Sequence, residues 1–142
     1  MTLVRKNKVT YWTATGIIFL FEGVMPALTS HTDLAIEGIR HLGYPSYFGV
    51  MLTVFKVAGA IVLILPFVKG KLKEWAYAGF AFTTIAAFIS HWVVDGFSGQ
   101  TLLPLLILAI LITSYIHYLK LETLYHRQSL KSEKYVISSL PQ

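Results

Sequence analysis

The sequence predicts an all-α polytopic membrane protein: a four-transmembrane-helix bundle with a short amphipathic outer helix between helices one and two. Three observations carry that fold class. Four apolar stretches, Tyr11–Leu28, Tyr47–Val68, Leu72–Val94 and Thr101–Leu119, fill most of the 142 residues. Each runs about 18–23 residues, the length at which an α-helix crosses a hydrocarbon core. Composition agrees, with 55% hydrophobic and 13% charged residues and a mean hydropathy of +0.62, outside the ordinary soluble range. The third observation is where the basic residues fall. Arg5, Lys6 and Lys8 precede the first stretch, Lys69, Lys71 and Lys73 separate the second from the third, and Lys120, Arg127, Lys131 and Lys134 follow the fourth. Only Arg40 lies in the first-to-second connection, and the third-to-fourth has no Lys or Arg. By the positive-inside rule both termini of this multi-pass chain are expected to be cytoplasmic.

That distribution also accounts for the net charge of +5 and the pI near 9.5. The basic clusters are topology signals and contacts for anionic lipid, not a nucleic-acid surface. Cysteine is absent, which excludes disulfides, dithiol exchange, thiolate-held iron–sulfur clusters and thioether-attached haem. Any redox role must therefore use a bound cofactor or another subunit.

Along the chain, Met1–Thr10 is a basic leader. The first stretch resembles the core of a signal peptide, but it continues to Leu28, carries Glu22 and lacks a small-x-small end, so retention is expected. In the segment Thr32–Pro45, Ala35, Ile36, Ile39 and Leu42 recur at helical spacing, with Asp33, Glu37, Arg40 and His41 on the opposite side. Thr32 or Asp33 can cap its start, Gly43 can end it in a left-handed conformation, and Pro45 prevents continuation. This segment is expected to lie over the outer end of the bundle, apolar face down. Helices two and three carry small-residue faces, Gly49, Thr53, Lys56 and Ala60 on one and Gly79, Thr83, Ala86 and Ser90 on the other. Such faces allow close approach in lipid, which places these two helices at the centre and helix four outermost. One transmembrane domain is expected over residues 1–121. Residues 122–142 form a polar cytoplasmic tail, read as a frayed helical extension running into disorder.

Two spans carry a full charge in their interior, Glu22 in the first and Lys56 in the second. A charge at that depth is costly unless it is paired or faces a polar cavity. At the α-helical rise, Glu22 lies roughly 9 Å below the outer end of its helix and Lys56 roughly 15 Å below the end of its own. A lysine stem can span that difference, so an ion pair is geometrically sensible. Thr84, His91 and Asp95 approach the same half from helix three, with His31 and His41 above them. The candidate ligand site is therefore Glu22, Lys56, Thr84, His91 and Asp95. The bland reading is a structural Glu22–Lys56 pair that sets helix register and a solvated His91–Asp95 pair. His117 reads as a snorkelling interfacial residue. No metal site is expected, because the spacing of His31, His41, His91 and Asp95 matches no metal motif.

Several runs are similar to the DoxX-like family: His41-Leu-Gly-Tyr-Pro-Ser-Tyr, Lys56-Val-Ala-Gly-Ala-Ile-Val-Leu-Ile-Leu-Pro, Leu72-Lys-Glu-Trp-Ala-Tyr-Ala-Gly-Phe and Ser90-His91. The resemblance covers roughly Tyr11 to Tyr118 and implies a four-helix bacterial inner-membrane protein. The family is named for a subunit of a thiosulfate:quinone oxidoreductase, and more distant relatives include an animal assembly chaperone for acetylcholine receptors. It offers no catalytic motif to carry over residue by residue, so the catalytic residues are unknown. The functional expectation is an accessory subunit, not an enzyme on its own, that binds a quinone or similar apolar ligand. Lys56 would donate to the head group, Glu22 would hold Lys56, and His91–Asp95 would relay protons outward. The alternative is a membrane-protein assembly or interaction factor in which the charged pair is structural. The partners expected are the lipid bilayer and either a second copy or another membrane protein.

Overall fold

The computed structural model describes residues 2–138. It is helical, with no strand among the described residues. Five helices follow one another: α1 (Leu3–Thr29), α2 (Asp33–His41), α3 (Ser46–Ile64), α4 (Lys71–Asp95) and α5 (Gly99–Ser138). All but α2 are long and apolar enough to cross a bilayer.

Helix α1 begins at Leu3, so the basic leader is helical and not a separate arm. Its regular α-pattern breaks at Phe19–Val24, where one π-helical segment is inserted. There the Met25 N–H bonds to the Leu20 carbonyl, five residues back instead of four. Pro26 follows directly and has no N–H to continue the usual ladder. Wider turns of this kind cluster at functional positions, and this one holds Glu22.

Helix α2 forms as its sequence predicts. The Thr32 hydroxyl accepts from the Ala35 N–H at 3.4 Å and caps the first turn. Gly43 ends the helix at φ 84°, a conformation that favours glycine. Its apolar face, with Ala35, Ile36 and Ile39, turns toward α1 and α3.

The bundle core departs from the expected arrangement. Helix α5 is not outermost: it packs most extensively of all, against α1 and α4. It buries Ile107, Leu111, Ser114, Tyr118 and Leu121, positions that recur every three or four residues along one stripe. Only Ala60 and Leu63 are buried on α3, and an added Cβ at Gly79 would meet nothing within 4 Å. The small-residue stripes therefore do not form the centre. A hydrogen-bonded junction does: Ser114 on α5 lies 2.7 Å from both the Thr15 hydroxyl of α1 and the Tyr77 hydroxyl of α4. Interhelical hydroxyl bonds of this kind join helices where lipid removes the hydrophobic drive. Past Leu121, its last buried residue, α5 continues as one exposed helix through Ser138. The part of the tail expected to be disordered is helical to that point, and residues 139–142 lie outside the described residues.

Candidate functional site

The two charges within the spans meet. The Lys56 Nζ of α3 lies 2.7 Å from the Glu22 Oε2 of α1, and the side chains are 23% and 13% exposed. The helices come together here because Gly23 has no side chain. A Cβ added at Gly23 would sit 2.6 Å from the Ala60 Cβ. The π-helical segment thus places a carboxylate and a close-approach glycine side by side, facing Lys56 and Ala60 one helical turn apart.

Lys56 also lines a groove of about 760 Å³ between the end of α1, the apolar face of α2 and the first turns of α3. Its walls are mostly apolar, among them Phe21, Met25, Ile36, Ile39 and Val50, and His31 stands in its lining. Helix α2 closes over it where Ile39 packs on Gly49, leaving an added Cβ only 3.2 Å from the Ile39 side chain. Such a volume falls in the range of small-molecule sites, which are apolar with a few placed polar groups.

The remaining candidate residues form a separate cluster. Asp95, at the end of α4, is held from two sides, by His41 Nε2 from α2 and by His91 Nδ1 at 2.8 Å from its own helix. With those ring nitrogens protonated, each imidazole donates to one carboxylate oxygen. Nearby, the Tyr44 and Ser90 hydroxyls lie 2.8 Å apart. Together these bonds tie α2 and its following turn to α4. Thr84 is buried, and its hydroxyl donates to the Phe80 carbonyl of the preceding turn. Thr84, His91 and Asp95 are not in the groove lining, whereas Lys56 is. His117 Nδ1 lies 2.8 Å from the Thr113 carbonyl within α5. Among the described residues, no group of three or more His, Cys, Asp or Glu side chains is arranged to hold a metal.

Sequence reasoning missed a third polar centre at the opposite, basic end. Lys73 was counted as a topology charge, yet it is only 2% exposed. Its Nζ donates to the Tyr11 hydroxyl at 2.8 Å and to the Leu65 carbonyl at 3.3 Å. A signal for it exists. Lys73, Tyr77, Phe80 and Thr84 are spaced four, three and four apart and occupy the buried face of α4.

The pattern that defines the DoxX-like family matches residues 9–114. The chain belongs to the DoxX-like family. The match spans the first three membrane helices, the α2 lid and most of the apolar part of α5, so both the Glu22–Lys56 pair and Lys73 fall within the region this DoxX-like protein shares with its family. No curated protein and no solved structure matches it significantly.

Proposed function

We propose that this DoxX-like membrane protein is an accessory subunit that holds a quinone, or a similar apolar molecule with a polar head, in the groove under α2. The observation that carries this reading is a single lysine in a mostly apolar groove of about 760 Å³, with its charge already held by Glu22. An ammonium group has three N–H donors. One serves Glu22, which leaves donors for a carbonyl head group in the groove. The chain's residues fit such a ligand: Phe21, Ile36 and Val50 supply apolar walls, and Lys56 supplies the polar anchor. When bound, the quinone would supply the electron-accepting chemistry of a partner oxidoreductase. On this reading Thr84 drops to a supporting position. The His91–Asp95–His41 cluster ties the lid to α4.

The test is thermal unfolding of the detergent-purified protein with ubiquinone and menaquinone analogues. Saturation to about a hundred times the dissociation constant adds roughly 2.7 kcal/mol of stability. The expected result is a rise in Tm that Lys56→Met abolishes and that Leu106→Ala, on an exposed face of α5, leaves intact. No shift in the wild type, or a shift that survives Lys56→Met, overturns the reading. The assembly-factor alternative then moves ahead. It is favoured by α5, which projects past the core with Tyr125, Leu130, Tyr135 and Ile137 exposed.

A further inference from the structure

Lys73 is a cation enclosed at the basic end of the bundle without a counter-charge. Among the described residues, no carboxylate lies within 4 Å of its ammonium group. Two of its three N–H donors are engaged, one by the Tyr11 hydroxyl and one by the Leu65 carbonyl. The Tyr11 and Tyr118 rings flank it, each with its centroid 5.5 Å from Nζ. Aromatic faces offset part of the cost of removing a cation from water. They do not neutralise it, and buried charges are as a rule paired.

Lys73 also lines a cavity of about 360 Å³ that opens between α1, the Leu65–Gly70 connection and α5. Lys8 and Lys69, both exposed, stand in the same lining, with Trp12, Tyr11 and Tyr118. The one carboxylate in the lining is Glu122. It accepts a long hydrogen bond, 3.5 Å, from the Tyr118 hydroxyl, which itself accepts from the Gly70 N–H at 3.0 Å. Three lysines against one glutamate leave the cavity with an excess of positive charge. A free N–H donor on a preorganised, desolvated ammonium is suited to a small oxyanion with several acceptor atoms.

We propose that this cavity binds an anionic phosphate group, with Lys73 at its floor and Lys8 and Lys69 at its rim. Two sources share that chemistry: the headgroup of an anionic phospholipid entering from the leaflet beside Trp12, and a free phosphate compound from the aqueous side. The site stands apart from the groove under α2, at the other end of the molecule, and does not depend on what that groove holds.

The experiment is thermal unfolding of the full-length protein in neutral detergent at constant ionic strength, with titrated phosphatidylglycerol, phosphatidylcholine or inorganic phosphate. Phosphatidylglycerol, inorganic phosphate or both should raise Tm, and zwitterionic phosphatidylcholine should not. A shift with phosphatidylglycerol alone assigns the lipid source, and a shift with inorganic phosphate shows that a free anion suffices. Lys8→Gln/Lys69→Gln should raise the half-saturating concentration about tenfold, the effect of losing charge-assisted hydrogen bonds. Lys73→Met should abolish the shift. If Lys73→Met does not fold, the rim pair decides. Lys131→Gln/Lys134→Gln removes the same charge from the far part of α5 and should change nothing. The proposal is overturned if neither anion shifts the wild type or if phosphatidylcholine acts equally. It is also overturned if the rim variant titrates like the wild type, or if the α5 variant loses as much as the rim variant.

Discussion

At Lys56, a single side chain links the stability of the fold to its most promising groove, and the two roles can be separated by mutation. The Nζ–Oε2 separation of 2.7 Å and the low exposure of both partners mean that removing either leaves a charge in a poorly solvated place. For fully buried pairs that costs about 3–5 kcal/mol, whereas replacing both partners with apolar groups can be neutral. Lys56 keeps 23% of its side chain exposed, so the lower end of that range is expected. Glu22→Ala and Lys56→Met should each destabilise the protein in detergent, and the double variant should recover much of the loss. Strictly additive losses in denaturant unfolding would show that the two charges answer to different partners. This pair was legible in the sequence because an apolar span tolerates a charge only with a partner, and the helical rise puts the two at reachable depths. Lys73 was not legible as a site. It stands in a cluster of lysines; its spacing with Tyr77, Phe80 and Thr84 hints at a buried face, but the enclosure by Tyr11 and Tyr118 is seen only in the packing.

For whole elements, what could be read was length and amphipathicity, and what could not was the local hydrogen-bond register and the order of packing. The α2 helix followed from its cap, its apolar stripe and Gly43, each a local signal. Its tie to α4 joins His41 to Asp95, 54 positions away, a separation over which the sequence pattern carries no register. The π-helical segment was equally hidden, since its cause is a shift of backbone partners at Leu20 and Met25. That segment makes a sharp prediction. Gly23→Ala would drive its Cβ to 2.6 Å from the Ala60 Cβ, a clash between two backbone-proximal atoms that no rotamer relieves. Overpacking of this kind costs about 1–3 kcal/mol. Ala60→Gly placed in the Gly23→Ala background should restore most of it by returning the missing space. Gly79→Ala, where an added Cβ meets nothing within 4 Å, is the neutral comparison. A Gly23→Ala variant as stable as the wild type would mean that α1 and α3 do not approach this closely. The packing order escaped sequence reasoning for a related reason. The aliphatic run Leu102–Ile112 made α5 read as lipid-facing, while Ser114, just past it, marks the stripe that joins α1 and α4.

Across the whole molecule, polarity runs from one end to the other. The end with the basic leader, the Lys69–Lys73 cluster and the continuation of α5 holds Lys73 and its cavity. The end covered by α2 holds Glu22, Lys56 and the Asp95 cluster. By the positive-inside rule the charge asymmetry predicts an orientation with the Lys73 end toward the cytoplasm and the α2 lid on the opposite side. That orientation decides which leaflet supplies each site. The absence of cysteine makes the orientation directly testable, since one introduced thiol is the only one present. Glu37 lies on the exposed side of α2 and Glu133 on the exposed far part of α5, so neither substitution removes a buried contact. In intact cells, a membrane-impermeant thiol reagent should label Glu37→Cys at once and Glu133→Cys only after lysis. The reverse pattern would invert the topology. Glu22 and Lys56 would then face the cytoplasm, and a phospholipid bound at Lys73 would have to come from the outer leaflet. Equal labelling of both variants before lysis would place both chain segments on one side. Three spans, those of α3, α4 and the apolar part of α5, lie between Glu37 and Glu133, and an odd number puts the two on opposite sides, so the assignment of those helices as membrane spans would itself fail.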